Sequence, residues 1–269
     1  MYHNYDSKFD TVVKMEKKND IAVITLCNPE DWNRITEQSV DQLTTVFEDI
    51  QFDKDIHVAL LHGEGPISFG PGSLDIIKTK LAKNVLESRE IMQEIGNMIR
   101  RLYSLRVPVI GVAEGKCLGG GANLALSTDI LIADENAVFV ELFVDYGLVP
   151  DTGGMYALQR LVGPMMAKAI AMQGDPISAL QAKELGMVYQ VAPAGTAMDV
   201  AMKLAEKIAK KPPLAVNQIK QLSNKMHDYT LDTYLQAETD YMTFCTLGQD
   251  FKELTMAQME NRLPNLKGY

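Results

Sequence analysis

Residues 107–123 read Val-Pro-Val-Ile-Gly-Val-Ala-Glu-Gly-Lys-Cys-Leu-Gly-Gly-Gly-Ala-Asn. The apolar, largely β-branched run Val107–Ala113 predicts a buried strand, and the glycine run after it predicts a sharp turn into a helix. Without Cβ atoms, the backbone at Gly119, Gly120 and Gly121 can turn tightly, lie against a ligand and present bare N–H groups at the helix start. Such donors suit an oxygen that becomes negative during a reaction. A close-packed strand-to-helix turn would use the same three glycines.

Working outward, Ile21–Cys27 and Val58–Leu61 are further short β-branched runs, and Ile130–Ala133 is another. Between them lie helical patterns. Thr36 is placed to cap a helix reaching about Gln51, with Val40, Leu43, Val46, Phe47 and Ile50 on one face. A long amphipathic helix is expected over Val85–Leu105, closed by Pro108. Strands alternating with helices imply βαβ-type units and a mostly parallel sheet, hence an α/β fold. From Gly153 onward helical periodicity dominates, interrupted by a short strand near Met187–Val191.

The chain has 269 residues, 46% apolar and 23% charged, the composition of a globular protein. Its net charge of −9, with no basic block, argues against nucleic acid as the main partner. Three cysteines and four histidines are scattered without ligand spacing, so no metal site is expected. A sparse cysteine count, the lack of a signal-type apolar stretch in the first twenty residues and the lack of a bilayer-length run point to a cytoplasmic protein without a membrane partner.

Two more segments bear on chemistry. Ser68-Phe-Gly-Pro-Gly-Ser-Leu-Asp75 follows the Val58–Leu61 strand and, like the triple glycine, can offer a free N–H, for instance from Ser73. Two such turns on one sheet edge would converge where α/β ligands bind. They would also supply the pair of donors that a thioester carbonyl needs when it becomes an enolate. In Gly147-Leu-Val-Pro-Asp-Thr-Gly-Gly154, Asp151 precedes a helix and is either a cap or a proton shuttle. Capping would lower its pKa; apolar neighbours such as Phe143 would raise it. If the segment after Phe139 is extended, Glu141 and Asp145 share its face with Phe143 and either is a candidate second acid. Trp32 reads as turn packing, and the methionines of the C-terminal helices as core.

Together these segments resemble the crotonase (enoyl-CoA hydratase/isomerase) superfamily over nearly the whole chain, from about Phe9 to Pro264. The matching pieces include Asn33-Arg-Ile, Ser68–Asp75, Leu118–Gly121, Asp129-Ile, Pro150, Gly153-Gly154, Leu161-Val-Gly and Leu185-Gly-Met-Val188. The resemblance implies a spiral of ββα units over residues 1–200 and a helical C-terminal region, 201–269, that serves trimerisation. It implies a homotrimer or dimer of trimers, an acyl-CoA substrate, and no cofactor beyond the coenzyme A that the substrate carries. The oxyanion donors fall on Ser73 and Gly120. Coenzyme A contacts, mostly through backbone, fall on Asn33, Arg34, Ile35, Gly70, Gly72 and Asp75. The substrate pocket falls on Pro71, Gly119, Gly121, Asn123 and Phe143.

The departures from the family pattern set the expected reaction. Hydratases of this family carry two glutamates in the slots that hold Asn123 and Phe143 here, which argues against ordinary hydration. Pro71 replaces the usual alanine of the first loop. Asp151 stands where Δ3,Δ2-enoyl-CoA isomerases carry a lone acid after a proline, with an aromatic residue in the Phe143 slot. The resemblance therefore implies an isomerase that shuttles one proton through Asp151. A retro-Claisen or β-diketone hydrolase, an atypical hydratase and an acyl-CoA-binding homologue without turnover are the alternatives.

Overall fold

Six strands make the main sheet, in the order β1 (Val13–Lys18), β2 (Ile21–Leu26), β3 (Val58–Gly63), β5 (Val109–Ala113), β7 (Ile130–Asp134) and β10 (Gln190–Ala192). All neighbours run parallel except β1, which is antiparallel to β2. A second sheet orders β4 (Ile67–Phe69), β6 (Lys116–Leu118), β8 (Val138–Val140) and β9 (Ile177–Ser178), with β9 antiparallel. The structure is a computed structural model and describes residues 11–73 and 84–266.

Each of β3, β5 and β7 continues into a short strand of the second sheet before a helix follows, which is the expected ββα spiral. The glycine run therefore does not leave β5 directly. A turn at Glu114-Gly115 and the three residues of β6 intervene, and Lys116 N–H donates to the Pro66 carbonyl at 3.0 Å. Because β6 pairs in parallel with β4, the chain leaves both strands in the same direction, and the two glycine-bearing turns emerge side by side.

Helix α1 (Glu37–Phe52) begins at a capping box: Thr36 Oγ1 accepts from Ser39 N–H at 3.1 Å, and Ser39 Oγ accepts from Thr36 N–H at 2.8 Å. Its apolar face (Val40, Leu43, Val46, Phe47, Ile50) packs with Met98 and Leu102 of α2 (Val85–Ser104) against one side of the main sheet. The other side, lined by Ile21, Val23, Val58, Leu60, Ile110 and Val112, is covered by α6 (Ala197–Ala209). Ala197, Ala201, Ala205 and Ala209 recur every four residues, so the centre of the α6 contact is made of methyl groups, flanked by Met198, Leu204 and Ile208, and its backbone comes close to the strands.

Between these helices lie α3 (Gly120–Leu126), α4 (Gly154–Gln173) and α5 (Ala179–Glu184). Helix α4 is kinked where Gly163 adopts φ 77° before Pro164. The C-terminal region comprises α7 (Pro213–Lys225), α8 (Leu231–Leu247) and α9 (Gln249–Met259). Lys220 ties α7 to the body. Its buried ammonium donates to Leu102 and Val107 carbonyls at 3.1 and 3.0 Å and pairs with Asp129 at 2.8 Å. Among the described residues no helix is long and apolar enough to cross a membrane.

Candidate active site

The two glycine turns and the Gly147–Gly154 segment meet at a cavity of about 680 Å³. Its walls are the 32–36 loop, Pro71–Ser73, Ile91, Met92 and Ile95 of α2, Leu118–Gly120, Leu142 and Phe143, and Val149 with Asp151 and Thr152. The inner wall is apolar. Glu37, Asp41, Glu90 and Glu94 also line the cavity but are exposed; among the described lining residues Asp151 is the carboxyl-bearing one withdrawn from solvent.

Asp151 is not a helix cap. The N-cap of α4 is Gly153, at φ 74°, and no side chain bonds the first turn. The carboxylate is thereby left to the cavity. Oδ1 accepts the Thr152 hydroxyl at 2.8 Å. The Asp151 carbonyl accepts from Gly154 N–H at 2.8 Å and from Asn123 Nδ2 at 2.9 Å. Thr152 itself sits at φ 52°, a left-handed conformation that a β-branched residue adopts only when its surroundings impose it. Burial pushes the Asp151 carboxyl above its ordinary value, and the bonds from Thr152 and from its own backbone oppose this without reversing it. Of the two opposing influences read from the sequence, desolvation prevails.

Gly120 opens α3, and its N–H has no acceptor among the described residues. A methyl group placed on it would lie 3.3 Å from Asp151 Oδ1, 3.0 Å from Thr152 Oγ1 and 3.2 Å from Ile35 Cδ1. The free N–H and the acid are therefore neighbours on the same wall. Gly119, at φ 51°, lines the cavity beside them and turns the chain from β6 into the helix.

Several expected site residues do other work. Ser73 N–H is not free: it donates to the Ile35 carbonyl at 3.0 Å, because the segment pairs with Ile35 through an isolated parallel bridge at Gly72. Gly72 also lines the cavity, and its N–H makes no hydrogen bond among the described residues. Asn123 does not line the pocket. It is fully buried, and its amide is turned onto the Asp151 carbonyl. Gly121 is a packing glycine, since a Cβ there would come within 2.3 Å of the Gly70 carbonyl oxygen. Gly70 is closed off as well: a Cβ on it would lie 1.9 Å from the Trp32 carbonyl oxygen.

Asn33 is removed from the ligand-binding set by its own bonds. Its Nδ2 donates to the Glu64 and Ile67 carbonyls, both at 2.8 Å, and its Oδ1 accepts from Asn28 N–H at 2.9 Å. Its carbonyl accepts from Gly70 N–H, so it staples the first glycine turn to the 28–35 loop. Arg34, Ile35, Pro71 and Phe143 do line the cavity, while Asp75 lies outside the described residues.

Trp32, expected to pack a turn, is instead exposed at the cavity mouth, with the Arg34 guanidinium 4.7 Å from its ring centroid. Thr152 and the α2 face had no signal in the sequence pattern. The parity that grouped Glu141 and Asp145 with Phe143 breaks because Leu142–Tyr146 is a 3-10 turn. Phe143 reaches the cavity, Asp145 is exposed, and Glu141 is buried outside the lining.

A carboxylate in a largely apolar cavity, beside an unpaired N–H, can take a proton from a carbon next to a carbonyl whose oxygen that N–H receives. Comparison with known proteins agrees with this geometry. Residues 16–268 match the family model described as enoyl-CoA hydratase/isomerase. The short-chain-enoyl-CoA hydratase of Clostridium acetobutylicum is 34% identical over 250 residues, covering 93% of this chain and 95% of that protein. The 1,2-epoxyphenylacetyl-CoA isomerase of Escherichia coli is 34% identical over 252 residues, covering 92% and 95%. Among solved structures, an enoyl-CoA hydratase from Polaromonas sp. JS666 superposes with a TM-score of 0.90 at 28% identity, covering 94% of this chain and 99% of that one. With the ββα spiral, the paired glycine turns and a family match that spans almost all of the sequence, the chain belongs to the enoyl-CoA hydratase/isomerase family.

Proposed function

We propose that the protein is an acyl-CoA isomerase that converts a 3-enoyl-CoA to the conjugated 2-enoyl-CoA through Asp151. The observation that carries the reading is the position of Asp151: withdrawn from solvent, lining the cavity and adjacent to the unpaired N–H of Gly120. The thioester oxygen lies on Gly120 N–H, with Gly72 N–H as the second donor in place of Ser73. Asp151 removes a proton from C2, the dienolate charge collects on the held oxygen, and the same carboxyl returns the proton at C4. A raised pKa suits both halves of this cycle, because the group must accept a proton and then release it.

Two features weigh against hydration as the main reaction. Phe143 puts a ring in the cavity where a second acid would have to stand, and Asn123 is committed to the Asp151 carbonyl. Neither can activate water. Among the described lining residues there is no histidine, which disfavours the retro-Claisen alternative. Arg34 is the one cation among them, at the mouth, where it suits the phosphates of coenzyme A. The proposal includes a homotrimer or dimer of trimers, supported by the apolar side chains that α8 and α9 leave exposed, among them Met242, Phe244, Phe251 and Met259.

The test is a pair of assays on one preparation: formation of the conjugated thioester from 3-enoyl-CoA, and formation of 3-hydroxyacyl-CoA from 2-enoyl-CoA. The expected result is isomerisation faster than hydration across a chain-length series. Hydration outrunning isomerisation, or tight acyl-CoA binding with turnover in neither assay, would overturn the reading.

A further inference from the structure

The backbone at residue 152 would suit glycine better than threonine. Thr152 stands at φ 52° and Gly153 follows at φ 74°, so two left-handed residues in succession lead the chain from Asp151 into α4. Glycine adopts such angles freely, whereas a branched Cβ crowds the backbone there. Thr152 is nevertheless buried, and it lines the cavity. A disfavoured conformation kept at the edge of a reaction site points to the side chain that it holds in place.

That side chain has one proton to give, and it goes to Asp151 Oδ1 at 2.8 Å. The same two oxygens lie against Gly120, since a Cβ on Gly120 would meet Thr152 Oγ1 at 3.0 Å and Asp151 Oδ1 at 3.3 Å. Oδ2 has no side-chain partner among the described residues. The two oxygens of the carboxylate are therefore unequal: one is tied to the wall and the other is left for the substrate. The tie survives protonation. With the proton on Oδ2, Oδ1 becomes the carbonyl oxygen of a neutral acid and still accepts. An untied carboxyl would turn about its Cβ–Cγ bond and carry the proton away from the carbon that must receive it.

We propose that Thr152 is a positioning residue: its hydroxyl pins Asp151 Oδ1 beside Gly120 and so dedicates Oδ2 to carrying the proton between C2 and C4. The role rests on the reading of Asp151 as the base.

The bond also favours the charged form of Asp151, against the burial that disfavours it. Removing the hydroxyl therefore raises the carboxyl further, and the base is lost at a higher pH as the solution is acidified. The charged groups around Asp151 are buried Glu141, whose carboxyl the Asp151 charge reaches, Arg34 at the mouth, and the exposed Glu37, Asp41, Glu90 and Glu94 across the cavity; α3 carries none. All of them stay in place when residue 152 is changed.

The experiment compares wild type with Thr152→Val, Thr152→Ala and Thr152→Ser. Valine keeps the shape and loses the hydroxyl, alanine loses both, and serine keeps the hydroxyl. Valine and alanine should each lose about tenfold or more in isomerisation kcat with KM little changed, the pattern of a misplaced catalytic group. In both, the acid limb of kcat/KM should move to higher pH. Serine should stay within about threefold of wild type with its limb in place. Where valine in the left-handed turn prevents folding, alanine against serine carries the same comparison. Wild-type kcat without the hydroxyl, a serine variant as impaired as alanine, or a limb that stays in place without the hydroxyl would each overturn the proposal.

A readout independent of turnover is the ¹³C signal of the Asp151 carboxyl in the substrate-free protein, identified by its disappearance in Asp151→Asn. It should titrate at higher pH in the valine and alanine variants than in wild type and the serine variant. That displacement in a protein without isomerase activity would refute the reading of the reaction alone. Coincident titrations in all four proteins would refute the role of Thr152.

Discussion

Replacing Asp151 by Asn removes the proton acceptor and almost nothing else. The side chains are isosteric, and the amide oxygen of the introduced asparagine can still accept the Thr152 hydroxyl that now bonds Oδ1 at 2.8 Å. The Asn123 contact is to the backbone carbonyl of residue 151 and is indifferent to the change. What disappears is a positioned general base, typically worth about 10²–10⁴ in rate, or about 3–5.5 kcal/mol of barrier. The variant should lose kcat by that factor in the 3-enoyl-CoA assay, while the Kd for a saturated acyl-CoA, measured calorimetrically, stays within about threefold because uniform binding is untouched. Thermal stability should not fall, since a carboxylate that burial disfavours has been removed. In wild type the base works only when ionised, so kcat/KM should drop as pH falls through the raised Asp151 pKa, and this acid limb should lie above the range of an ordinary aspartate. An Asn variant within threefold of wild-type turnover would refute the assignment.

Two further substitutions probe the scaffold. Gly120→Ala puts a methyl group 3.0–3.3 Å from Thr152 Oγ1, Ile35 Cδ1 and Asp151 Oδ1, so these side chains must shift by a few tenths of an ångström. Isomerase kcat should fall by about 10- to 100-fold with an unchanged far-UV spectrum, and undiminished kcat would mean that the carboxylate does not stand where described. Lys220→Met removes a buried ammonium, leaving the Leu102 and Val107 carbonyls without their donor and the Asp129 carboxylate with only its bond from Val109 N–H. Urea unfolding should register a loss of about 3–5 kcal/mol, with little change in KM for a variant that remains folded.

The long elements were legible because their side-chain periodicity is strong. Val58–Gly63 and Val109–Ala113 are uninterrupted apolar runs, and α1 begins at the capping threonine that its pattern indicated. The strands of the second sheet were not, because two or three residues carry no readable period. Edge strand β1 was hidden by Lys14, Glu16 and Lys18, which alternate with Val13 and Met15 and face outward.

Asp151, Gly120 and Phe143 line the cavity, and each has a sequence-local signature. The bonds that occupy Asn33, Ser73 and Asn123 were not legible, because their partners are remote. Asn33 is spent on carbonyls 31 and 34 residues away, and Asn123 on one 28 residues away. Ser73 gives up its N–H to a bridge with the Ile35 segment, which no local pattern announces.

The most direct test of a single shuttling carboxyl follows one atom. A 3-enoyl-CoA carrying deuterium at C2, turned over in ordinary water and stopped at low conversion, should give 2-enoyl-CoA with part of that deuterium at C4, because Asp151 delivers what it removed inside a largely apolar cavity. A product whose C4 hydrogen comes entirely from solvent at every conversion, from an enzyme that keeps its rate after Asp151→Asn, would contradict the account.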